Sequence, residues 1–352
     1  AVALAAVAGA AHGQFDFRLL LSVDSLTPGE PGQVLIVGSD GEPAGTFLPD
    51  LATPRGTALA ADGAFFVSVT GGLGSTGGVV VKVDPDGTAS DFVTDVSPFD
   101  LEVDPQSGDL FISDAAAGIL RVPLSGPDAG VPQTGPNSAT PGVFVDTFQL
   151  PDGSPGGPLV PSGLGFAPSG DLFSGLQATD PTTPGTAGLL QVDLDSGVAT
   201  QVGVLDTPFD VQVDSQGNVF ANNVVPGGAV GESDGEIAVF PGLGAPGATL
   251  PAAPIESDVF SPTAIRGLAI GPVGTTLEDA VFASTGDLTI VQFDPFDPAT
   301  FDPTFAGTVF ADDVEDPFAF DIQIVIPEPA GVVIALVGCV AAGSIGRGRR
   351  AC

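Results

Sequence analysis

The sequence of 352 residues contains no methionine, tryptophan or tyrosine. It has one histidine, His12, and two cysteines, Cys339 and Cys352, which both lie near the C-terminus. A disulfide within the main body is therefore excluded, and the cysteines do not indicate its redox compartment. Without His12 the body also lacks the residues that Ser-His-Asp catalysis, Cys-His catalysis and histidine-bearing zinc sites require.

Basic residues are scarce as well. Eight lysines and arginines stand against 43 aspartates and glutamates, which gives a formal net charge of -35 at pH 7. This charge argues against nucleic acid and anionic lipid as partners of the body. It favours weak binding of divalent cations, but a solvated acidic surface is the preferred interpretation.

Glycine and proline are abundant, with 50 and 34 residues, and they separate short runs of Val, Ile, Leu and Phe. Such punctuation is typical of many short strands joined by turns. A pattern of strands also recurs through the chain. The six first strands of this pattern start at Pro54, Pro98, Pro161, Pro208, Ile265 and Pro317. Each is followed by a turn and further strands, and VFVDTFQL at 143–150 is a candidate fourth strand.

An antiparallel unit of four strands and about 45–60 residues is the blade of a β-propeller. The N-terminal part offers only later strands of such a unit, at 17–23, 32–41 and 44–50, and the missing first strand follows Pro317. We expect the last blade to combine both ends of the chain, because this leaves no free sheet edge. The predicted fold class is all-β, a six-bladed β-propeller. On these repeats, residues 15–326 resemble the NHL-repeat and SMP-30-like six-bladed propellers.

The first 14 residues, AVALAAVAGAAHGQ, are apolar and small up to a polar break. This pattern is typical of a secretory signal with its cleavage site, and we interpret residues 1–13 as the remnant of a signal peptide. A buried apolar helix or strand is the alternative. Cleavage here would remove His12.

The C-terminal segment combines three features. Pro327, Glu328 and Pro329 come first, an uncharged run at 330–345 follows, and the last part contains Arg347, Arg349 and Arg350. The run is slightly shorter than the roughly 17–25 residues of a membrane span, but its arginine flank is typical of a cytoplasmic stop. The segment 327–352 resembles the PEP-CTERM sorting signal, and we expect it to form a transmembrane sorting helix. A plain membrane anchor is the alternative.

This resemblance implies export to the cell envelope, the cell surface or the extracellular space. It implies a transient anchor in the membrane through the C-terminal helix, and an exosortase-type processing enzyme as partner. We expect the envelope or matrix component that the protein contacts there to be its second partner.

Alternate first strands differ at the positions that we expect to face the propeller axis. Strands starting at Pro98, Pro208 and Pro317 carry acids there, and the other three carry Gly or Ala. This alignment places Asp321 at the position of Glu102. The unit is therefore a blade pair used three times.

The axial acids are Asp100, Glu102, Asp210 and Asp321. Converging carboxylates repel each other unless a cation or protons intervene, and hard oxygen ligands suit Ca²⁺. These four residues are candidate ligands for Ca²⁺ or another cation. A hydrated channel, or carboxylates that cap turns, is the alternative.

Lactonases of the SMP-30 type hold a divalent ion with Glu, Asp and Asn, as the resemblance implies. None of the four asparagines lies at the start of a first strand: Asn137, Asn218, Asn222 and Asn223. We therefore expect a non-enzymatic binding or scaffold module of the bacterial envelope or extracellular matrix. Its candidate binding loops are 125–142, 151–160, 178–186 and 225–235. The alternative is a metal-dependent hydrolase or lactonase that uses the axial carboxylates.

Overall fold

The computed structural model describes most of the chain between residues 17 and 325. The described ranges are 17–23, 31–70, 77–177, 187–224, 235–246, 255–261, 265–285, 289–297, 307–311 and 319–325. The signal remnant, the sorting-signal residues at 327–350 and the loop 178–186 lie outside them, as do residues 225–234 of the last candidate loop. Within these ranges no helix is long and apolar enough to cross a membrane.

The described residues form 25 β-strands, as the Gly- and Pro-punctuated sequence predicts. In chain order they are β1 (Arg18–Val23), β2 (Gly32–Gly38), β3 (Pro43–Leu51), β4 (Pro54–Leu59), β5 (Phe65–Val69), β6 (Gly78–Val83), β7 (Ala89–Val96), β8 (Pro98–Val103), β9 (Leu110–Asp114), β10 (Gly118–Val122), β11 (Thr147–Gln149), β12 (Pro155–Pro158), β13 (Pro161–Phe166), β14 (Leu172–Leu176), β15 (Gly188–Asp193), β16 (Val198–Val204), β17 (Pro208–Val213), β18 (Val219–Val224), β19 (Gly235–Phe240), β20 (Ile255–Ser261), β21 (Leu268–Ile270), β22 (Val281–Ser284), β23 (Ile290–Phe293), β24 (Thr308–Ala311) and β25 (Ala319–Val325).

These strands form six sheets, which are the blades of a six-bladed β-propeller. Four blades have four strands each, in the orders β4-β5-β6-β7, β17-β18-β19-β20, β21-β22-β23-β24 and β25-β1-β2-β3. The last of these joins the two ends of the chain, because β25 pairs antiparallel with β1. The prediction of a ring closed by both ends is therefore confirmed.

The blade that starts at Pro98 differs from its neighbours. It has only β8, β9 and β10, and the next blade has six strands in the order β13-β14-β15-β16-β11-β12. The predicted fourth strand at 143–150 is divided between them: Val145 bridges to Ile119, whereas Phe148 pairs with Ala199 of β16. The prediction of one continuous fourth strand is wrong, because the chain changes partner within this segment.

The core lies between the blades. Buried hydrophobic side chains form six clusters among the described residues, and each cluster combines two neighbouring blades. Strand β9 shows why: Leu110 and Ile112 pack toward the preceding blade, and Phe111 packs toward the following one. Successive side chains of a strand point to opposite faces, and here both faces are covered. Apolar residues of the first strands, such as Leu101, Leu164 and Val211, lie in these clusters.

Candidate active site

Three aspartates lie at equivalent places near the propeller axis. Each carboxylate bridges its own strand to the first strand of the next blade. The Oδ1 atoms accept the N–H of the following residue, in the pairs Asp100–Leu101 at 2.8 Å, Asp210–Val211 at 2.7 Å and Asp321–Ile322 at 2.7 Å. The Oδ2 atoms accept an N–H of the next blade, in the pairs Asp100–Leu164 at 2.6 Å, Asp210–Leu268 at 2.5 Å and Asp321–Thr57 at 2.6 Å. The blade pair used three times is thus visible in the hydrogen bonds.

The position of Asp321 differs from the sequence alignment. Asp321 lies opposite Ser22 of β1, just as Asp100 lies opposite Ser113 of β9. It therefore corresponds to Asp100 and not to Glu102, and Gln323 takes the place of Glu102. The reason is that pairing with β1 fixes the register of β25, whereas the aligned proline stands two residues further from the aspartate.

Glycines of the preceding blades stand opposite two of the axial aspartates, Asp100 and Asp210. A Cβ atom on Gly56 would lie 2.3 Å from the Cα of Asp100, and one on Gly163 would lie 2.3 Å from the Cα of Asp210. Neighbouring first strands approach each other too closely here for any side chain. Small residues are therefore needed at these positions near the axis.

The second strands contribute a ring of buried polar side chains that the sequence analysis missed. Five of the six blades supply one member at equivalent positions: Ser22, Ser68, Ser113, Asn222 and Ser284. In β14 the equivalent residue is Gly175. Asn222 shows their role, because its Oδ1 accepts the N–H of Asp210 at 2.6 Å and its Nδ2 donates to the carbonyl of Ile265 at 2.8 Å. A serine that recurs in the second strand of most repeats was the available signal.

A cavity of about 100 Å³ lies beside the aspartates. It is lined by polar groups of Thr57, Asp100, Glu102, Gln212, Asp321 and Gln323, with Ala269, Ile270 and Ile324 among the apolar lining residues. We call it the axial cavity. It is large enough for a few water molecules, which occupy about 30 Å³ each in the liquid. Three of the four predicted site residues therefore line one cavity, and Asp210 lies close enough to interact with them electrostatically.

The environment shifts the protonation of these carboxyl groups. Burial, followed by the charges of Asp321 and Asp210, raises the pKa of Glu102 to about 8. Burial also raises the pKa of Asp321, to about 6, against the opposing hydrogen bonds from Thr57 and Ile322. Asp100 and Asp210 have pKa values well above the ordinary range, mainly because of burial and then because of the charge of Asp321. Protons therefore compensate part of the axial charge at neutral pH.

An aromatic pair lies next to the aspartates, at the end where the first strands begin. The rings of Phe99 and Phe209 stack with centroids 6.0 Å apart, although their blades are separated by a third blade. The guanidinium groups of Arg55 and Arg266 lie over Phe99 and Phe209, at 5.4 and 4.6 Å from the ring centroids. Side chains from non-adjacent blades can meet in this way only near the axis.

Metal binding has no further support in the described part of the chain. Within it, no group of three or more His, Cys, Asp and Glu side chains is arranged to hold a metal ion. Each axial aspartate instead uses both oxygens to accept backbone N–H groups. The Ca²⁺ site formed by Asp100, Glu102, Asp210 and Asp321 stays a prediction. Capping of turns, the alternative role considered for the axial acids, is made by other aspartates. Oδ1 of Asp214, for example, accepts the N–H groups of Gln216 and Asn218.

The comparisons with known proteins show likeness in structure only. No protein family and no curated protein matches the sequence. The structure is similar to that of a "putative 6-phosphogluconolactonase" from Bacteroides fragilis, with 13% identity, a TM-score of 0.51, and coverage of 90% of this chain and 100% of the other. It is also similar to a gluconolactonase from Xanthomonas campestris, with 15% identity, a TM-score of 0.45, and coverage of 76% and 86%. Identities this low show the fold alone, and no PEP-CTERM match supports the predicted sorting signal.

These neighbours correct the predicted function. The prediction of a non-enzymatic binding or scaffold module is wrong, because a solved structure that resembles this propeller with a TM-score above 0.5 is described as a "putative 6-phosphogluconolactonase". That description agrees better with the alternative hypothesis, a metal-dependent hydrolase or lactonase that uses the axial carboxylates.

Proposed function

We propose that the protein is a lactonase whose reaction takes place in the axial cavity. The observation that carries this proposal is that Glu102 and Asp321 line the same cavity with different affinities for protons. Their pKa values are raised to about 8 and to about 6. Two carboxyl groups with separated pKa values supply an acid and a base at neutral pH.

The proposed reaction uses Asp321 as the general base. Three hydrogen bonds to the carboxylate, from the N–H and Oγ1 of Thr57 and the N–H of Ile322, favour its ionised form. Asp321 takes a proton from a water molecule as this water attacks the carbonyl carbon of the lactone. The geometry fixes the carboxylate in one orientation, as a positioned base requires.

Glu102 acts as the general acid in this reaction. When the tetrahedral intermediate collapses, the bond between the carbonyl carbon and the ring oxygen breaks, and Glu102 donates its proton to that oxygen. The product is a hydroxy acid, and the proton on Asp321 returns to Glu102 through solvent. Each step is assigned to carboxyl groups of the chain, and none to a metal ion.

The charge and size of the cavity define the substrate class. Ionised carboxyl groups in and beside the cavity repel a phosphorylated lactone, so we propose a neutral lactone as substrate. The cavity of about 100 Å³ is small compared with the roughly 300–1,000 Å³ of typical ligand pockets. It holds a small lactone, or only the lactone ring of a larger molecule, and the same charges favour release of the anionic product.

The experiment is a hydrolysis assay with δ-valerolactone and glucono-δ-lactone, followed by acid release in a pH-stat. It compares the wild type with Glu102→Gln, Asp321→Asn and the exposed control Glu42→Gln, each with a chelator and with added Ca²⁺. We expect hydrolysis by the wild type and the control, and a loss of about 10²-fold or more in the other two variants. The absence of hydrolysis above the uncatalysed rate in the wild type would refute the proposal.

We further propose that the protein is exported and sorted at the cell envelope. The support is the arrangement of Pro327-Glu328-Pro329, the uncharged run at 330–345, and the arginines at 347, 349 and 350. Mass spectrometry of the protein from its host tests this proposal. Loss of the segment after Pro329 is the expected result, and a C-terminus that still includes Arg350 would contradict processing.

A further inference from the structure

Three side chains of the axial cavity occupy equivalent positions. Glu102, Gln212 and Gln323 each stand two residues after an axial aspartate. Their partners in the second strands are equivalent as well, in the pairs Glu102–Phe111, Gln212–Phe220 and Gln323–Leu20. All three line the cavity. The axial cavity is therefore lined by one carboxyl group and two carboxamides at the same level along the propeller axis.

The two carboxamides differ in their surroundings. The side chain of Gln212 interacts with the carboxyl group of Asp210 and lowers its pKa. The side chain of Gln323 has no hydrogen-bond partner within the described ranges, and the donors that act on Asp321 are Thr57 and Ile322. Both side chains line the axial cavity, and only that of Gln212 also interacts with its own aspartate.

A single substitution in the repeat explains this difference. Thr57 occupies the position that Leu164 and Leu268 occupy in the other two blade pairs, since all three donate their N–H to an axial aspartate. Only the threonine also has a hydroxyl group, and its Oγ1 donates to Oδ2 of Asp321 at 2.6 Å. The hydroxyl thus gives Asp321 a side-chain donor from the next blade, and the amide of Gln323 makes no hydrogen bond within the described residues.

We infer that Gln323 is a substrate-binding residue, whose side-chain N–H donates a hydrogen bond to the carbonyl oxygen of the lactone. This inference rests on the proposed function and names the donor that the proposed reaction needs. Negative charge develops on the carbonyl oxygen when water adds, and a fixed N–H donor stabilises that oxygen. A neutral amide does this without cancelling the charge of Asp321. An arginine or lysine in the same place would pair with Asp321 and block it.

The test compares Gln323→Met with the matched variant Gln212→Met. Methionine is unbranched and of similar length, so both variants keep the shape of the ring but lose an amide. The kinetic measurements are kcat and KM for δ-valerolactone. The binding measurement uses δ-valerolactam, an unreactive cyclic amide with the same carbonyl group, and follows chemical shifts by NMR. Thermal unfolding establishes that both variants are folded.

We expect Gln323→Met to lower kcat by about 10²-fold or more, as loss of one oxyanion donor does, and to weaken lactam binding. Gln212→Met should weaken lactam binding less than Gln323→Met does, because the amide of Gln212 interacts with Asp210. Equal lactam affinity in the two variants would overturn the inference.

The same experiment separates this inference from the proposed function. If the wild type binds the lactam through Gln323 but hydrolyses no lactone, the lactonase proposal fails and the binding residue stands. If the wild type hydrolyses the lactone and Gln323→Met keeps its kcat, the inference fails and the lactonase proposal stands.

Discussion

Oδ2 of Asp100 accepts a hydrogen bond of 2.6 Å from the backbone N–H of Leu164, which lies 64 residues further along the chain. The bond joins β8 to β13, the first strands of two neighbouring blades. Two further aspartates make the same connection at alternate interfaces of the ring. The axial carboxyl groups therefore stabilise the propeller, and the same groups line or adjoin its cavity.

Removal of Asp210 tests the structural role, because this residue is not among those that line the cavity. Asp210→Ala leaves the buried N–H groups of Val211 and Leu268 without their acceptor. A buried donor without a partner costs about 1–3 kcal/mol, so we expect the free energy of unfolding to fall by about 2–4 kcal/mol. Urea unfolding near pH 5 measures this change. The axial carboxyl groups have raised pKa values and keep protons at that pH, so the removal of Asp210 relieves little repulsion. The exposed control Asp128→Ala should stay within about 0.5 kcal/mol, and equal stability of the two variants would contradict the role.

The close approach of the blades predicts a second effect on stability. A Cβ atom on Gly163 would lie 2.3 Å from the Cα of Asp210 and 2.5 Å from the backbone nitrogen of Val211, so the blades must separate in Gly163→Ala. We expect a loss of about 1–3 kcal/mol, as for other overpacked sites. Gly77→Ala is the matched control, because nothing lies within 4 Å of its added Cβ. Thermal unfolding measures the stability of both variants. A Gly163→Ala protein as stable as Gly77→Ala would contradict the close approach of the blades.

The protonation of Glu102 predicts how stability depends on pH. Its pKa is about 8 in the folded protein and 4.5 as the ordinary value. Between these values the folded state keeps a proton that the unfolded state has released. Stability therefore falls as pH rises, by at most about 1.4 kcal/mol per pH unit. The charged groups that act on Glu102 are Asp321 and Asp210.

Glu102→Gln removes this dependence, because a carboxamide has no proton to lose in that range. We expect the variant to match the wild type near pH 5 and to be more stable near pH 8. Urea unfolding at several pH values measures the difference, with the exposed Glu42→Gln as control. A difference between variant and wild type that does not change with pH would exclude a raised pKa at Glu102.

Thr57→Val tests whether the hydroxyl group of Thr57 prevents a hydrogen bond between the amide of Gln323 and Asp321. The valine has the same shape but lacks the hydroxyl group that donates to Asp321 at 2.6 Å. We expect the pKa of Asp321 to rise above its value of about 6, so that the acid limb of kcat/KM against pH moves upward. We also expect kcat to fall, because the amide of Gln323 then turns toward Asp321. Thr46→Val, at an exposed threonine, is the control, and an unchanged acid limb would disprove the assigned contact.

Much of the fold could be predicted from the sequence, because each blade repeats the same local pattern. Small residues near the axis, apolar residues between blades and acids on alternate blades all follow from a period of two. The ring closure by β25 and β1 followed from the strands missing at the N-terminus. The register of Asp321 could not be predicted, since it depends on pairing with a strand about 300 residues away in sequence.

Less of the candidate site than of the fold could be predicted from the sequence. Asp100, Glu102 and Asp321 were predicted to approach the axis, and they line one cavity. The roles of Thr57 and Gln323 depend on which donor reaches which aspartate, and no local pattern contains this information. The function was predicted wrongly because the missing histidine and axial asparagine were weighed against an enzyme. A pair of carboxyl groups with separated pKa values needs neither.

The pH dependence of kcat/KM for a neutral lactone tests the central claim most directly. We expect a bell-shaped profile for the wild type, with limbs near the pKa values of Asp321 and Glu102, about 6 and about 8. We also expect Glu102→Gln to have no alkaline limb and to react about 10²–10⁴-fold more slowly at the optimum. A Glu102→Gln protein with the wild-type rate and the wild-type profile would contradict the claim.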